Sequence, residues 1–348
     1  MFKKAIVACI TISILFVMSA CSAFDQTFDQ SNEPPSNANS ESEKDGQVSE
    51  NDSQQDISIP EESLQKKDKG DQVLQLQSTL NQIGYDLTEN GEFDDATTWA
   101  VTDFQLQQDS LLASGIYNES TKTALKDAVE NNIEIVAGSG LPQEVEPAIT
   151  DSGTPVIANP YDQLVLVNKQ HALPADYMPR DLVIPDVRFP FTEDLPKKQM
   201  RKEAATALEE LFIAADGAGL ELFAQSGFRS YERQDAIFAS NSLEHGEEEA
   251  NIFSARPGES EHQTGLTMDV TSPKVNFELI TEFGETEEGK WIQGNAAEYG
   301  FIIRFPEGKE EITKYQYEPW HLRFVGKKAA SEIMSQDITL EEYLKVSE

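Results

Sequence analysis

The sequence predicts an α+β fold, in which a small three-helix unit precedes a larger domain of mixed strands and helices. Two observations lead to this prediction. Apolar residues in residues 70–128 recur at the spacing of one helix face. In residues 159–348, segments with strand and helix patterns intermix without a regular strand–helix repeat, which favours α+β over a doubly wound sheet.

The chain as a whole is strongly acidic. It has 348 residues, with 62 Asp and Glu against 27 Lys and Arg, and a formal net charge of −35. Proteins that bind nucleic-acid phosphates need clustered basic residues, so this balance argues against a nucleic-acid partner. The 39% hydrophobic content is sufficient for folded cores. The two cysteines, Cys9 and Cys21, lie near the N-terminus, so no disulfide framework holds the rest of the chain together.

The N-terminus has the pattern of a secretory signal. Lys3 and Lys4 precede an uncharged, apolar or small-residue run over residues 5–20, which is short for a membrane-spanning helix. The run ends in Met18-Ser-Ala-Cys21, which resembles the lipobox of bacterial lipoproteins. This resemblance implies a signal peptide over residues 1–20, lipidation at Cys21 and attachment to the membrane by lipid. Ordinary secretion with an incidental cysteine is the alternative.

Two segments have the composition of linkers. Residues 21–69 are rich in Ser, Asn, Gln, Asp and Glu and show no apolar period, which predicts a disordered acidic tether. Residues 129–158 contain several Pro and Gly and no sustained period, which predicts a second linker.

Residues 70–128 contain an internal repeat. The pattern Gly-x-aromatic-Asp/Asn-x-x-Thr-x-x-Ala-aliphatic starts at Gly91 and again at Gly115. In each copy the Gly permits a tight turn, the Asp or Asn can cap a helix, and the Ala and aliphatic residue fall on its buried side. Together with the helical spacing from Val73 to Ile83, the repeat predicts three compact helices.

This segment resembles the peptidoglycan-binding domain found at the ends of many bacterial wall hydrolases. The matching motifs are Val73-x-x-Leu76-Gln77-x-x-Leu80, Gly84-Tyr85, Gly91-x-Phe93 and Phe104-Gln105. The resemblance implies that the unit binds the glycan wall. A structural spacer is the alternative, because most of these positions are also what any small helical bundle needs.

Several elements of the large domain can be predicted from local patterns. Residues 164–167 and 220–224 are strand-like, and residues 202–216 form a helix with one apolar side. Thr339 and Glu342 have the spacing of a capping box, which predicts a final helix.

Two of the four histidines lie in dense polar motifs. His262 stands seven residues before Asp269. Apolar and polar residues alternate around Asp269, so its side chain should lie on the opposite face from the core-facing side chains. His321 stands three residues after Glu318 and also alternates with apolar neighbours. Two His and one Asp can bind zinc and leave a fourth position for water, with Glu318 free for proton transfer. Each histidine by itself could equally be a packed or surface residue, with Glu318 as a salt-bridge partner.

These motifs together resemble the zinc D-alanyl-D-alanine carboxypeptidases of the VanY type, in the wider group of lysostaphin-like peptidases and hedgehog domains. The likeness covers most of residues 160–348. Its ordered motifs are Ser260-x-His262-x-x-Gly265-x-x-x-Asp269, Glu318-x-Trp320-His321, Leu166-Val167-Asn168-Lys169, Ser226-Gly227-Phe228-Arg229-Ser230, Gln234, Pro257-Gly258, Asn295-Ala296, Tyr299-Gly300-Phe301-Ile302 and Leu340-Glu-Glu-Tyr343-Leu344. The resemblance implies a mainly antiparallel sheet flanked by helices and one zinc ion per chain.

The resemblance also implies roles for individual residues. It makes His262, Asp269 and His321 the zinc ligands and Glu318 the general base that takes a proton from the attacking water. Arg229 would contact the developing oxyanion or the substrate carboxylate, for which its fixed donors are suited. The alternative for Arg229 is a structural ion pair.

Three further positions bear on substrate contacts. Ser260 is expected to bind the terminal carboxylate of the substrate, and Gln234 is expected to do the same. The alternatives are loop capping for Ser260 and a helix-surface position for Gln234. Phe305 departs from the resemblance, since relatives often carry Tyr there, and this bears on specificity rather than on the reaction class.

The resemblance implies a lipid-anchored, extracytoplasmic zinc carboxypeptidase that removes the terminal D-alanine from peptidoglycan stem peptides. Its partners would be stem peptides, the glycan wall and the membrane, without an obligate protein partner. An L,D-carboxypeptidase acting on tetrapeptide stems is the nearest alternative. A non-catalytic wall-binding lipoprotein is an alternative from a different class.

Overall fold

The structure is a computed structural model that describes residues 59–143 and 148–345. The predicted signal peptide, the lipidation at Cys21 and the tether as far as residue 58 lie outside the described residues. Among the helices of the described ranges, none combines the length and the apolar character that crossing a bilayer requires.

Three helices form the N-terminal domain, as the sequence predicts: α1 (Asp71–Gln82), α2 (Asp95–Leu106) and α3 (Glu119–Glu130). The internal repeat supplies the caps of α2 and α3. Asp94 accepts a hydrogen bond from the backbone of Thr97, and Asn118 accepts one from Thr121. In both helices, the repeated Thr therefore donates its backbone N–H to the capping side chain at the helix start.

Two buried glutamines hold the loops that follow α1 and α2. The amide of Gln77 donates to the carbonyl of Glu92 and accepts from the backbone of Gly91. The amide of Gln105 donates to the carbonyl of Ile116 and accepts from the backbone of Gly115. Both glutamines thus fix the turn that leads into the next helix, because a buried amide needs partners for its donor and its acceptor.

Replacing Asp94 with Ala is expected to lower the free energy of unfolding by about 1 kcal/mol, the usual effect of losing an N-cap. Burial opposes ionisation of Asp94, but its hydrogen bonds with Thr97 lower its pKa overall. The stabilisation should therefore be lost as the pH falls through the folded-state pKa. Urea unfolding of the variant measures the change. Asn118→Ala, the equivalent cap of α3, is the matched control, and stability unchanged in both variants would contradict the assignment.

The N-terminal domain begins earlier than the predicted boundary at residue 70. Leu64 is buried in its core and exchanges backbone hydrogen bonds with Tyr117. This short pairing lies inside the segment predicted as tether, where Leu64 and Ile59 pack on the helical core despite the polar composition of the segment.

The predicted linker, residues 129–158, also packs in part on this domain. Its first two residues belong to α3, and Ile135 and Leu141 are buried. The buried carboxylate of Asp103 accepts hydrogen bonds from the backbone of Gly138, Gly140 and Leu141. The glycines of this segment therefore belong to a turn that packs around Asp103, and this part of the predicted linker is bound to the domain.

The larger domain contains short strands and helices. In chain order they are β1 (Leu182–Val183), β2 (Met200–Arg201), α4 (Lys202–Gly217), β3 (Phe223–Ser226), α5 (Tyr231–His245), α6 (Glu247–Phe253), β4 (Thr267–Thr271), α7 (Glu287–Asn295), β5 (Phe301–Phe305), α8 (Glu310–Thr313), β6 (Glu318–Phe324), α9 (Lys327–Gln336) and α10 (Leu340–Leu344). The main sheet has the order β3-β4-β6-β5, and its neighbouring strands are antiparallel. This is the α+β arrangement that the sequence predicts.

One face of this sheet carries the main hydrophobic core. Side chains such as Met268 and Leu322 pack there with the apolar side of α4, which includes Leu208 and Leu211. Because successive side chains of a strand point to opposite faces, the neighbouring residues of β4 and β6 lie on the other side of the sheet.

Residues 164–167 do not form a strand, contrary to the prediction. Their side chains alternate as in a strand, with the even-numbered ones packing near α9 and α10 and the odd-numbered ones near Tyr177. The guanidinium of Arg323, however, donates to the carbonyls of Gln163 and Val165. The period of two reflects burial on both sides of the segment, whereas the carbonyl of Val165 and the one just before the segment pair with a side chain and not with another strand.

The other local predictions hold with small shifts. The helix predicted over residues 202–216 is α4, and the capping box of Thr339 and Glu342 opens α10. The strand predicted over residues 220–224 starts at Phe223, because Gly219 has a positive φ and Leu220 still donates to Ala215 at the end of α4.

The two domains share buried polar contacts. Arg201 donates to the carbonyl of Ala113 (2.7 Å) and pairs with Asp181, and both side chains are 7% exposed. The backbone of Gln163 donates to the carbonyl of Ser114 (2.9 Å). The helical domain is therefore joined to the larger domain by specific hydrogen bonds.

Candidate active site and metal centre

Strands β4 and β6 bring Asp269 and His321 together. The two residues are directly paired in the antiparallel register, so their side chains leave the same face of the sheet. The neighbours Met268 and Leu322 occupy the opposite, apolar face. The alternation in the sequence thus predicts correctly which side of each strand carries the polar group.

A short turn places His262 beside them. The 3₁₀ turn Glu261–Thr264 ends at Gly265, whose φ of 69° is left-handed and whose Cβ would lie 2.9 Å from Leu182. The Nδ1 of His262 is 2.7 Å from the carbonyl oxygen of Gly227. Donation of Nδ1–H to this carbonyl leaves the lone pair on Nε2, which faces Asp269.

The three side chains have the spacing of a metal site. One ligand atom from each of His262, Asp269 and His321 can be chosen so that all lie within 4.8 Å of one another. The Nε2 of His262 is 3.4 Å from one carboxylate oxygen of Asp269, and the Nδ1 of His321 is 3.3 Å from the other. All three residues are buried.

The electrostatics of the cluster suit a cation. Burial lowers the pKa of His262 to about 3, so its imidazole is neutral and able to act as a ligand. Burial opposes protonation of His321, but the carboxylates around it, Asp269, Glu261 and Glu318, raise its pKa well above the usual value. Excess negative charge around one imidazole is what a bound cation would neutralise.

The donor set fits zinc. It offers two imidazole nitrogens and one carboxylate oxygen, the combination found in catalytic zinc sites with an open fourth position. Oδ1 of Asp269 is buried and has no hydrogen-bond partner among the described residues, although it faces His321. A bound cation would supply the missing partner of this oxygen.

Glu318 lies at the edge of the cluster. Its Oε2 is 3.5 Å from Nδ1 of His321, and its side chain is 14% exposed, more than those of the three candidate ligands. A carboxylate next to a metal site but reached by solvent has the position required of a proton acceptor.

Arg229 is held beside the cluster by neutral groups. It follows β3, and its guanidinium donates to Oε1 of Gln234 (2.9 Å) and to the hydroxyl of Ser226 (3.3 Å). Within the described parts of the chain, no carboxylate lies within 4.0 Å of it, so the structural ion-pair alternative is not supported. Burial lowers the pKa of Arg229 from its usual value. Its positive charge remains available to an anionic group of a substrate.

Gln234 is buried and not a helix-surface residue. Its amide oxygen accepts from Arg229, and its amide nitrogen donates to the carbonyl of Ala255 (2.6 Å). The structure therefore gives Gln234 a clear role in orienting Arg229, whereas direct substrate contact stays a prediction.

The two candidate histidine ligands, Glu318 and Arg229 line one cleft of about 210 Å³. Ser260 also lines it and makes no capping hydrogen bond to the turn that follows, which does not favour the loop-capping alternative. Phe305 forms another part of the wall, with its ring 5.0 Å from that of His321 and 4.6 Å from that of Tyr315.

Sequence reasoning missed two residues near the cluster. Tyr315 lines the cleft and donates from its hydroxyl to the carbonyl of Glu259. Glu261 is buried against Arg304 and Arg323. A signal for Glu261 was present, because two arginines at core positions of strands require a buried acidic partner.

Comparison with known proteins assigns both domains to families. The profile of VanY, described as D-alanyl-D-alanine carboxypeptidase, matches residues 197–327. A profile for a peptidoglycan binding domain matches residues 69–125. Each profile thus falls on one of the two domains of the structure.

Curated proteins and solved structures are similar to parts of this chain. YodJ of Bacillus subtilis (strain 168), assigned as a carboxypeptidase, is 58% identical over 56% of this chain and 71% of its own length. The solved LD-carboxypeptidase LdcB is 55% identical, with a TM-score of 0.56, over 58% of this chain and 94% of that chain. A solved mutant of the vancomycin resistance D,D-pentapeptidase VanY, in complex with Zn(II), is 33% identical, with a TM-score of 0.42, over 52% of this chain and 98% of that chain.

Proposed function

Because this chain belongs to the VanY family of D-alanyl-D-alanine carboxypeptidases, we propose that it removes the terminal D-alanine from peptidoglycan stem peptides. The protein is a hydrolase with carboxypeptidase activity on peptidoglycan, and its helical domain is a peptidoglycan-binding domain. Action on the wall places it outside the cytoplasm. Attachment through a lipid at Cys21 stays part of the proposal.

His262, Asp269 and His321 are the proposed zinc ligands. Their support is the spacing of the three side chains, the neutral state of His262 and the unpartnered oxygen of Asp269. When bound, zinc supplies Lewis-acid polarisation of the scissile carbonyl and activation of water.

Glu318 and Arg229 are the proposed catalytic residues. Glu318 accepts the proton of the attacking water and returns it to the departing amine, which its solvent-reached position beside His321 permits. Arg229 donates from its guanidinium to the carbonyl oxygen as negative charge develops, or to the carboxylate of the substrate. Phe305 and Tyr315 contribute aromatic walls to the same cleft.

The observation that carries the proposal is the unpaired charge of Arg229. Its guanidinium lines the cleft with neutral partners only, so a bound anion would be its first charged partner. A free C-terminal carboxylate is the anion that distinguishes a carboxypeptidase substrate from the interior of a peptide chain. Ser260, on the same cleft wall, is the second proposed contact for this carboxylate.

An L,D-carboxypeptidase acting on tetrapeptide stems is the second candidate. It is favoured by the similarity to the LD-carboxypeptidase LdcB. Both reactions need the same metal site and the same carboxylate contact, and they differ in how the penultimate residue is held.

Product analysis on defined stems tests the proposal. The purified, zinc-loaded protein is incubated with a pentapeptide stem and with a tetrapeptide stem, and the shortened peptides are identified by mass spectrometry. We expect conversion of the pentapeptide to the tetrapeptide, with the tetrapeptide cut much more slowly. Preferred cleavage of the tetrapeptide would establish the L,D activity instead. No cleavage of either stem, together with no stoichiometric zinc on the same sample, would support the non-catalytic alternative.

A further inference from the structure

Glu261 is a buried carboxylate without a role in the mechanism above. It directly precedes His262, and its side chain is 2% exposed. Its Oε1 accepts hydrogen bonds from Nε of Arg304 (2.8 Å) and Nη1 of Arg323 (2.7 Å). Its Oε2 lies 3.6 Å from Nε2 of His321, and neither of these two atoms has a hydrogen-bond partner among the described residues.

Every guanidinium nitrogen of the two arginines that hold Glu261 has a hydrogen-bond partner. Arg304 makes a bidentate pair with Glu341 of α10, at 3.0 and 2.6 Å. Arg323 donates its remaining nitrogens to three backbone carbonyls, those of Gln163, Val165 and Phe324. Both guanidinium groups are inaccessible to solvent. Two arginines and two glutamates therefore form a neutral buried set, which holds the carboxylate of Glu261 in one orientation.

This orientation directs the free oxygen of Glu261 at the outer nitrogen of His321. The inner nitrogen of the same ring, Nδ1, lies on the side of Asp269 and Glu318. Ligand histidines commonly donate their second N–H to a carboxylate, which fixes the tautomer and the orientation of the ring. A carboxylate and an unpartnered ring nitrogen, both buried and facing one another, match that arrangement.

We infer that Glu261 is a positioning residue for the metal centre, whose Oε2 accepts the Nε2–H of His321 and so keeps the lone pair of Nδ1 directed at the metal. The inference rests on the zinc site of the proposed function. Through Glu261, His321 would also be connected to Arg304, which pairs with Glu341 of α10.

Glu261→Gln tests the inference with little change in shape. The amide oxygen can still accept from both arginines, but the amide nitrogen then places donor against donor at Nε2 of His321. Zinc affinity, measured by competition with a chromophoric chelator, is expected to fall by about 10- to 100-fold. Zinc affinity is a readout independent of the activity of the loaded enzyme.

Glu341→Gln is the matched control. It removes one negative charge from the same buried set but leaves the contact between Glu261 and His321 in place. Thermal unfolding of the metal-free proteins should show a loss of stability in both variants, whereas zinc affinity should fall much further in Glu261→Gln than in Glu341→Gln, because only Glu261 contacts His321. Wild-type zinc affinity in Glu261→Gln, or an equal loss of affinity in both variants, would overturn the inference. Absence of zinc binding in the wild-type protein would instead overturn the proposed metal site.

Nitrogen NMR of the histidine rings in the zinc-loaded wild-type protein is a second test that needs no variant to fold. The expected spectrum has a protonated Nε2 on His321 and a protonated Nδ1 on His262, with a slowly exchanging proton on each. An unprotonated Nε2 on His321 would contradict the inferred hydrogen bond to Glu261.

Discussion

Replacing Glu318 with Gln is expected to lower kcat by about 10²- to 10⁴-fold while the protein keeps its zinc. The amide has the size of the carboxylate but cannot accept the proton of the attacking water. The three candidate ligands are separate side chains, so the metal should stay in place. Steady-state kinetics on a stem peptide, with zinc content measured on the same sample, give both quantities.

Glu307→Gln is the control for the change in net charge, because Glu307 is exposed and lies outside the cleft. Full activity in Glu318→Gln would exclude the general-base role. Loss of zinc from this variant would instead make Glu318 a ligand, in addition to the cluster of His262, Asp269 and His321.

Arg229→Ala is expected to lower kcat/KM by about 10²- to 10³-fold, the usual effect of removing one donor to a developing oxyanion. The variant also deletes the positive charge that lines the cleft without an ion-pair partner in the described residues. Kinetics resolve the two roles given above for the guanidinium. A fall mainly in kcat indicates contact with the oxyanion, whereas a rise mainly in KM indicates contact with the substrate carboxylate.

Arg233→Ala is the matched control for Arg229→Ala. Arg233 lies on the next helix, is exposed and does not line the cleft, so its loss changes the net charge equally. Comparable kinetics for Arg229→Ala and the wild-type protein would show that Arg229 acts only in the structure of the loop.

The arrangement of the site could be predicted from sequence where strand periodicity decides it. The alternation in β4 and β6 indicates that Asp269 and His321 project away from the apolar layer, and the structure places them opposite one another. Periodicity does not reveal which strands are neighbours. The prediction that these residues and His262 act together came from the spacing of the motifs in a family.

Other predictions failed because the deciding interactions are distant in sequence. Residues 164–167 have the period of a strand, but Arg323, which binds the carbonyls of Gln163 and Val165, is about 160 residues away. The partners of Glu261 come from β5 and β6. Local patterns contain the residue types of such a network but not its connections.

The contacts of Arg201 and Gln163 with the helical domain affect how the enzyme acts on an insoluble polymer. Buried hydrogen bonds join the two domains, so the domain that binds the wall and the cleft that cuts the stem should move as one body. The distance from the anchoring point on the polymer to the bond that is cut is then a fixed property of the protein. From each binding position on the wall, the cleft would reach only those stem ends that lie at that distance. The spacing of the trimmed stems would therefore depend on the distance between the wall-binding domain and the cleft.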